Sequence, residues 1–189
     1  MPTTSLPRTA SALAVTIGLL ALIACTAAEP APAPSRTPPV FENEEQALAA
    51  VTETYQAFLD MSNTILIEGG VGVDRIDVIV GSKLLNAEHQ SLMELASQGL
   101  SLTGKPTLVT TELQEWYDQP DAAGVIASAR ACMDLTAVQV LDGDGNSVVE
   151  ADRPSMRTWS ISIGPGDEGQ QQFVLTSRDF FSEGASCED

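Results

Sequence analysis

The chain has 189 residues with 26 acidic and 9 basic side chains, so its formal net charge at pH 7 is −17. A chain this acidic repels phosphate backbones and anionic lipid surfaces, and we expect no nucleic-acid partner. The segment 41–189 holds about 150 residues, which is enough for one domain with a single hydrophobic core.

Residues 1–24 have the layout of a secretory signal peptide. Arg8 is the only charged residue among them, and a run of 14 apolar and small residues extends from Ser11 to Ala24. A helix needs about 20 residues to cross the hydrocarbon core of a bilayer, so this run is too short for a transmembrane anchor. We therefore expect it to direct export.

The run ends in Leu22-Ile23-Ala24-Cys25. These four residues resemble the lipobox of bacterial lipoproteins, which is cut directly before its cysteine. The resemblance implies that the mature chain begins at Cys25, carries a lipid there, and is anchored to the outer face of the cell membrane, or to the outer membrane in a Gram-negative cell. An ordinary signal peptide with an incidental Cys25 is the alternative. Cleavage at this point would leave 8 basic and 26 acidic residues, a net charge of −18.

The rest of the composition predicts a linker and one cysteine pair. Residues 25–40 include five prolines and favour an extended spacer between the anchor and the domain. If Cys25 is lipidated, Cys132 and Cys187 remain, and two cysteines in an oxidising compartment most simply pair with each other. Together with His89, the only histidine, they lack the spacing of zinc ligands, and we expect no metal.

The first half of the domain has a helical pattern. Asn43 and Gln46 fit the cap and capping-box positions of a helix that runs to about residue 66. Glycines follow, then a short helix over 74–80 and a third helix over 82–98, with Gly99 at its C-cap. His89 falls on or beside the buried stripe of the third helix.

After Gly99 the pattern changes to strands. Alternation predicts strands over 107–116, 124–135 with an extension to 141, 148–149, 159–163 and 173–181. Asp142-Gly143-Asp144-Gly145-Asn146 begins like a calcium loop, but the EF-hand positions for Gly and Glu hold Ser147 and Arg153, so a hairpin turn is the better interpretation. Helices followed by an antiparallel sheet predict an α+β domain.

In this order and length, the domain over 41–189 resembles the NTF2-like (SnoaL-like) cone. More narrowly, it is similar to small actinobacterial lipoproteins that have Ala131-Cys132-Met133-Asp134, a valine-rich strand, an Asp-Gly turn, Arg157, Trp159 and a terminal cysteine. The resemblance implies N-terminal helices packed on a bent antiparallel sheet with a cone-shaped pocket between them. It implies little about activity, and dimerisation through the sheet is left open.

Catalytic signatures are weak. One histidine without a Gly-x-Ser-x-Gly elbow gives no triad, and the glycine spacing fits no phosphate loop or dinucleotide fold, so no cofactor is expected. Some NTF2-like enzymes use an Asp or His base with a Tyr donor in an apolar cavity. Tyr55, His89 and Asp134 are the candidates for such acid–base chemistry, which requires that they meet in a deep pocket.

Binding is the function that the sequence favours over catalysis. Trp116, Tyr117, Trp159 and Phe173 are the candidate ligand or partner residues, and the Trp116-Tyr117 pair should expose one ring. The partner is a small apolar molecule in the cone or another envelope protein on the sheet. A cone filled by Trp159, Phe173 and their neighbours would favour the sheet. An acid–base enzyme and a structural envelope protein are the alternatives.

Overall fold

The computed structural model describes residues 38–181 and Cys187. The expected signal peptide over residues 1–24, the lipidated Cys25 and nearly all of the linker lie outside the described residues. The described part belongs to one compact unit that begins at residue 37.

Helices precede strands, and the fold is α+β. The helices are α1 (Glu44–Ile67), a 3-10 helix (Val73–Val78) and α2 (Ser82–Ser97). The strands are β1 (Ser101–Thr103), β2 (Thr107–Trp116), β3 (Ala127–Asp134), β4 (Gln139–Leu141), β5 (Met156–Pro165) and β6 (Phe173–Phe180).

Four strands form the main sheet, in the order β2-β3-β5-β6, and all neighbours are antiparallel. The short strands β1 and β4 form a separate antiparallel pair. Bulges interrupt β2 between Leu108 and Thr110 and between Leu113 and Glu115, and another lies between Ser162 and Ile163 of β5. Such bulges bend a sheet and increase its twist.

α1 begins where its sequence supplies a cap. The Asn43 side chain accepts the Gln46 backbone N–H at 3.0 Å, and the Gln46 side chain accepts the Glu42 N–H at 3.0 Å. The first bond satisfies one orphan donor of the first turn, and the second ties the residue before the cap to the helix. The helix ends before Gly69 and Gly70, which both take a positive φ that other residues rarely adopt.

The core lies between α1 and one face of the sheet. On β3 this inner face carries Ala127, Ala129 and Ala131, all without solvent exposure, because successive residues of a strand point to opposite faces. These small side chains leave room for large ones from α1, and Tyr55 and Phe58 occupy that space.

Three predicted elements differ from the structure. The segment predicted as a short helix over 74–80 is a 3-10 helix that ends at Val78, because the next residues extend and bond to β6. The expected strand over 148–149 is absent from the described residues, where Ser147 makes only an isolated bridge to Leu141. Residues 138–141 do not continue β3 but contribute β4.

The partner of β4 is β1, which the sequence pattern did not reveal. The chain turns after β3, where the Val138 N–H donates to the Leu135 carbonyl at 2.9 Å. Gly104 permits the close approach that follows, because a Cβ at this position would collide with the carbonyl of Ala137. The pairing of β1 with β4 therefore depends on Gly104 rather than on hydrophobic alternation.

Candidate functional site

Tyr55 lies in the core. It has no exposed surface, and its hydroxyl donates to the Met133 Sδ at 3.1 Å. Burial raises the pKa of this hydroxyl well above its usual range, while the nearby positive charge of Arg178 acts in the opposite direction. At neutral pH, Tyr55 is therefore a protonated core residue.

Asp134 lies on the opposite face of β3 from the Met133 side chain that Tyr55 contacts, because the two residues are consecutive in the strand. Its carboxylate accepts the Thr136 backbone N–H at 2.7 Å. Hydrogen bonds from Thr136 lower the pKa of Asp134. The carboxylate thus stabilises the turn after β3.

His89 joins two helices at the surface. Its Nε2 lies 2.8 Å from the Asp77 Oδ1, which connects α2 to the 3-10 helix. The Gln170 amide also donates to the Asp77 backbone carbonyl at 2.6 Å. Tyr55, His89 and Asp134 thus have separate partners in the core, at a helix junction and at a strand end, and do not form one acid–base group.

A charged pair crosses the inner layer between α2 and β6. Arg178 donates to both carboxylate oxygens of Glu88 at 3.0 Å, and Glu88 is only 5% exposed. The Arg178 guanidinium also lies 4.5 Å from the ring centre of Trp159 and 5.2 Å from that of Phe58. Glu88 and Arg178 are 90 residues apart in the sequence and carry no local motif, so no sequence pattern indicates that they meet.

The four candidate partner aromatics are spread over the domain. Trp116, Trp159 and Phe173 are half-buried and pack against the core, and the Phe173 ring lies 5.3 Å from the Phe41 ring. Tyr117 donates from its hydroxyl to the Glu115 carboxylate at 2.7 Å, and this hydrogen bond raises the pKa of Tyr117. The more exposed aromatic side chains are Phe180 and Phe181 at the end of β6.

Cys132 and Cys187 are joined as a disulfide, with Cα atoms 5.5 Å apart. Cys132 alternates with the buried alanines of β3, so its side chain lies on the outer face of the sheet. The bond links Cys187, seven positions after the end of β6, to the central strand β3.

The edge of the main sheet at β6 is covered near its start, at Leu175. The Leu175 N–H donates to the Ile79 carbonyl at 2.9 Å, and the Gly81 N–H donates to the Leu175 carbonyl at 2.8 Å. The Gln170 amide fixes this segment through the Val80 carbonyl at 3.0 Å. Leu175, the third residue of β6, therefore has both of its outward backbone groups satisfied by the chain itself.

The opposite edge, at β2, is open. Throughout the described ranges, β2 pairs only with β3 and has no strand on its other side. A groove of about 660 Å³ runs between this edge and the flank of α1. Its lining consists of Leu48, Thr52, Glu53, Gln56, Ala57 and Asp60 from α1 and Leu108, Val109, Thr110 and Thr111 from β2. We refer to these ten residues as the β2 groove.

Two general findings bear on the function. Within 38–181 and Cys187, no cluster of three or more His, Cys, Asp or Glu side chains could hold a metal ion. Over the same residues, no helix combines the length and the apolar character needed to cross a membrane.

No protein-family model matches the chain, and no curated protein is similar to it in sequence. Among solved structures, the chain is similar to the intermembrane space region of the chloroplast protein ARC6. The identity is 11%, the TM-score is 0.50, and the match covers 71% of this chain and 95% of that one. A de novo designed β-sheet protein matches at 10% identity and a TM-score of 0.35, over 75% of this chain and 95% of the design. At these identities the ARC6 likeness concerns the fold alone.

Proposed function

We propose that this protein is a lipid-anchored, extracytoplasmic binding module that recognises another protein of the cell envelope and catalyses no reaction. The observation that carries the proposal is the filled space between the helices and the sheet. Tyr55, Phe58 and the Glu88–Arg178 pair occupy the region where an NTF2-like pocket would lie. A binding module with a filled interior works through its surface.

The acid–base alternative receives little support from the geometry. A general base must come within hydrogen-bond reach of the proton that it removes, and its partner acid must approach the same substrate. Tyr55 of α1 packs against the inner face of the sheet, whereas Asp134 lies on the outer face. His89 is hydrogen-bonded to Asp77 at a helix junction. Such an arrangement favours structural roles for all three residues.

The NTF2-like assignment is a finer proposal within the α+β class. It is supported by the order of elements, in which helices precede a bulged antiparallel sheet, and by the position of α1 across the inner face. The disulfide between Cys132 and Cys187 is in keeping with an oxidising, extracytoplasmic compartment.

Anchoring is tested by Cys25→Ala in the full chain, followed by membrane fractionation and mass measurement. We expect the variant to leave the membrane fraction or to keep its signal peptide, because the acceptor of the lipid is gone. Thr26→Ala is the matched control, since it changes the neighbouring residue and preserves the lipobox. Unchanged processing and membrane retention in the Cys25 variant would contradict the anchor.

The binding mode is tested by native mass spectrometry of the full chain extracted from its own membranes, before and after mild unfolding. We expect the mass of the lipidated chain with a second protein and without a small-molecule adduct. A bound small molecule that unfolding releases would instead assign the interior as a ligand pocket and refute the surface mode.

A further inference from the structure

The open edge of β2 presents unpaired backbone groups. In an antiparallel edge strand, alternate N–H and C=O groups point away from the sheet and can pair with another strand. Val109 is 49% exposed at this edge, and the neighbouring Thr110 is also exposed. The bulges on either side leave Thr110–Leu113 as the regular stretch, so an added strand would be short.

The β2 groove continues the inner layer beyond that edge. Leu48 and Ala57 on α1 and Leu108 on β2 are half-buried apolar side chains that line it. A strand added to β2 would place every second side chain over this flank of α1, as β2 does with its own residues. The edge and the groove would therefore be covered by the same segment.

One polar atom in the groove lacks a partner. The Thr111 Oγ1 is buried from solvent and makes no hydrogen bond in the described residues. Buried hydroxyl groups are normally hydrogen-bonded, so this hydroxyl is an unsatisfied polar group in the lining of the groove.

The charge of the surface specifies the occupant. Glu53 and Asp60 are the charged residues of the β2 groove, both are exposed, and neither has an ion-pair partner among the described residues. Glu112 and Glu115 of β2 are also exposed, and their side chains lie on the outer face of the sheet. An extended segment with lysine or arginine side chains would complement these four carboxylates, whereas an acidic segment would be repelled.

We propose that the β2 edge and the β2 groove bind an extended, basic segment of a partner protein, which adds as a fifth strand to the sheet. This inference rests on the proposed function and names the surface and the chemistry of the partner. Backbone hydrogen bonds to β2 provide affinity, and alternate side chains in the groove provide specificity. A second copy of this chain fits poorly, because its β2 would add two more exposed glutamates to an edge that already carries Glu112 and Glu115.

The experiment uses the full chain in detergent and a blocked eight-residue peptide of alternating valine and lysine as the probe. Hydrogen–deuterium exchange is measured with and without this peptide. We expect exchange to slow across residues 107–116 and to stay unchanged at Leu175, where the edge is already covered. A matched peptide, N-methylated at every second residue, lacks the donors that pair with β2 and should give no protection.

The double variant Glu53→Lys/Asp60→Lys tests whether the carboxylates of the β2 groove attract a basic segment. We expect the Kd of the probe to rise roughly three- to tenfold, because two exposed ion pairs are replaced by like-charge contacts. Glu94→Lys/Glu150→Lys is the matched control, since it changes the net charge equally at exposed positions outside the groove. Equal weakening by both double variants would overturn the assignment of the groove.

Three further outcomes would overturn the inference. These are unchanged exchange at 107–116, equal binding of the N-methylated peptide, and protection of 107–116 by higher protein concentration alone, which would assign the edge to a second copy. Failure of this inference is distinguishable from failure of the proposed function, because a protein partner retained in native mass spectra would uphold the function even if the edge binds no peptide.

Discussion

The two edges of the main sheet differ in whether their outward-facing backbone groups are satisfied. At β6, the segment after the 3-10 helix bonds to Leu175 on both its N–H and its carbonyl, and Gln170 holds that segment in place. At β2, a ten-residue strand is left unpaired on its outer side and is protected only by bulges and exposed glutamates. An edge that the chain itself leaves uncovered is a place where another chain can bind.

The difference between the β6 edge and the β2 edge indicates which residues stabilise the domain. β6 is tied to α2 through Arg178 and Glu88 and to the 3-10 helix region through backbone bonds, so its residues belong to the structural half of the molecule. The outer side of β2 has no such ties within the described ranges. Substitutions near β6 should therefore destabilise the fold, whereas substitutions on the open edge should change binding.

The largest expected effect is that of Arg178→Ala. It leaves the buried Glu88 carboxylate without its partner and removes the guanidinium between Trp159 and Phe58, which should lower the free energy of unfolding by about 3–5 kcal/mol. Urea unfolding measures this. Glu112→Ala on the open edge is the control and should change the stability by less than about 0.5 kcal/mol.

A double variant distinguishes the effect of losing the Glu88–Arg178 charge pair from the effect of losing side-chain packing at the same two positions. Replacing both partners, as Glu88→Leu/Arg178→Met, should recover much of the lost stability, because no unpaired charge remains buried. Equal costs for Arg178→Ala and Glu112→Ala would remove the proposed difference between the two edges.

An intermediate effect is expected for Gln170→Ala. The variant leaves the Asp77 and Val80 carbonyls without their donor, which should cost about 1–2 kcal/mol. Amide exchange at Leu175 should also become faster, since the segment that covers β6 loses its side-chain tether. Gln172→Ala is the matched control at an exposed neighbouring position. If Leu175 exchanges at the same rate in both variants, the covered edge does not depend on Gln170.

The smallest effect is expected at Asp142, in a turn away from both edges. Its carboxylate accepts the backbone N–H groups of Asn146 and Asp144, and these hydrogen bonds lower its pKa below the ordinary value of 3.8. A lowered folded-state pKa stabilises the fold above the unfolded value, and this contribution is lost as the pH falls through the folded pKa.

Asp142→Ala should therefore be less stable than the parent at neutral pH, and the difference should shrink once the pH falls below about 3.8. Thermal unfolding over a pH series measures it, while exchange at 107–116 and 173–180 should stay as in the parent. A difference that grows on acidification would contradict the assigned role of the carboxylate.

Local signals in the sequence predicted a large part of the fold. Asn43 caps the start of α1 as predicted, and Gln46 accepts a backbone N–H from Glu42, one residue before the N-cap donor that a capping box uses. The alternation of small apolar residues over 127–133 predicted β3 and its buried face. The α+β class followed from these elements, and the structure confirms it.

The remaining features depend on contacts that are distant in sequence. Nothing near Glu88 or Arg178 indicates that they meet, because each alone has the pattern of an ordinary charged surface residue. The β2 groove is similar, since Glu53 and Asp60 have the spacing of a solvated helix face and acquire meaning only when β2 lies beside them. The expected strand over 148–149 was wrong because pairing with β4 does not continue beyond the Ser147–Leu141 bridge and one hydrogen bond from the Val148 N–H to the Val140 carbonyl.

The disulfide between Cys132 and Cys187 has a practical consequence for anyone who handles the protein. The bond encloses residues 133–186, which include the exposed turn after β4. A protease that cuts within this turn would produce two polypeptides that remain covalently linked and migrate as one band without reductant. An apparently intact sample therefore has to be checked under reducing conditions, where a nicked chain separates into its two pieces.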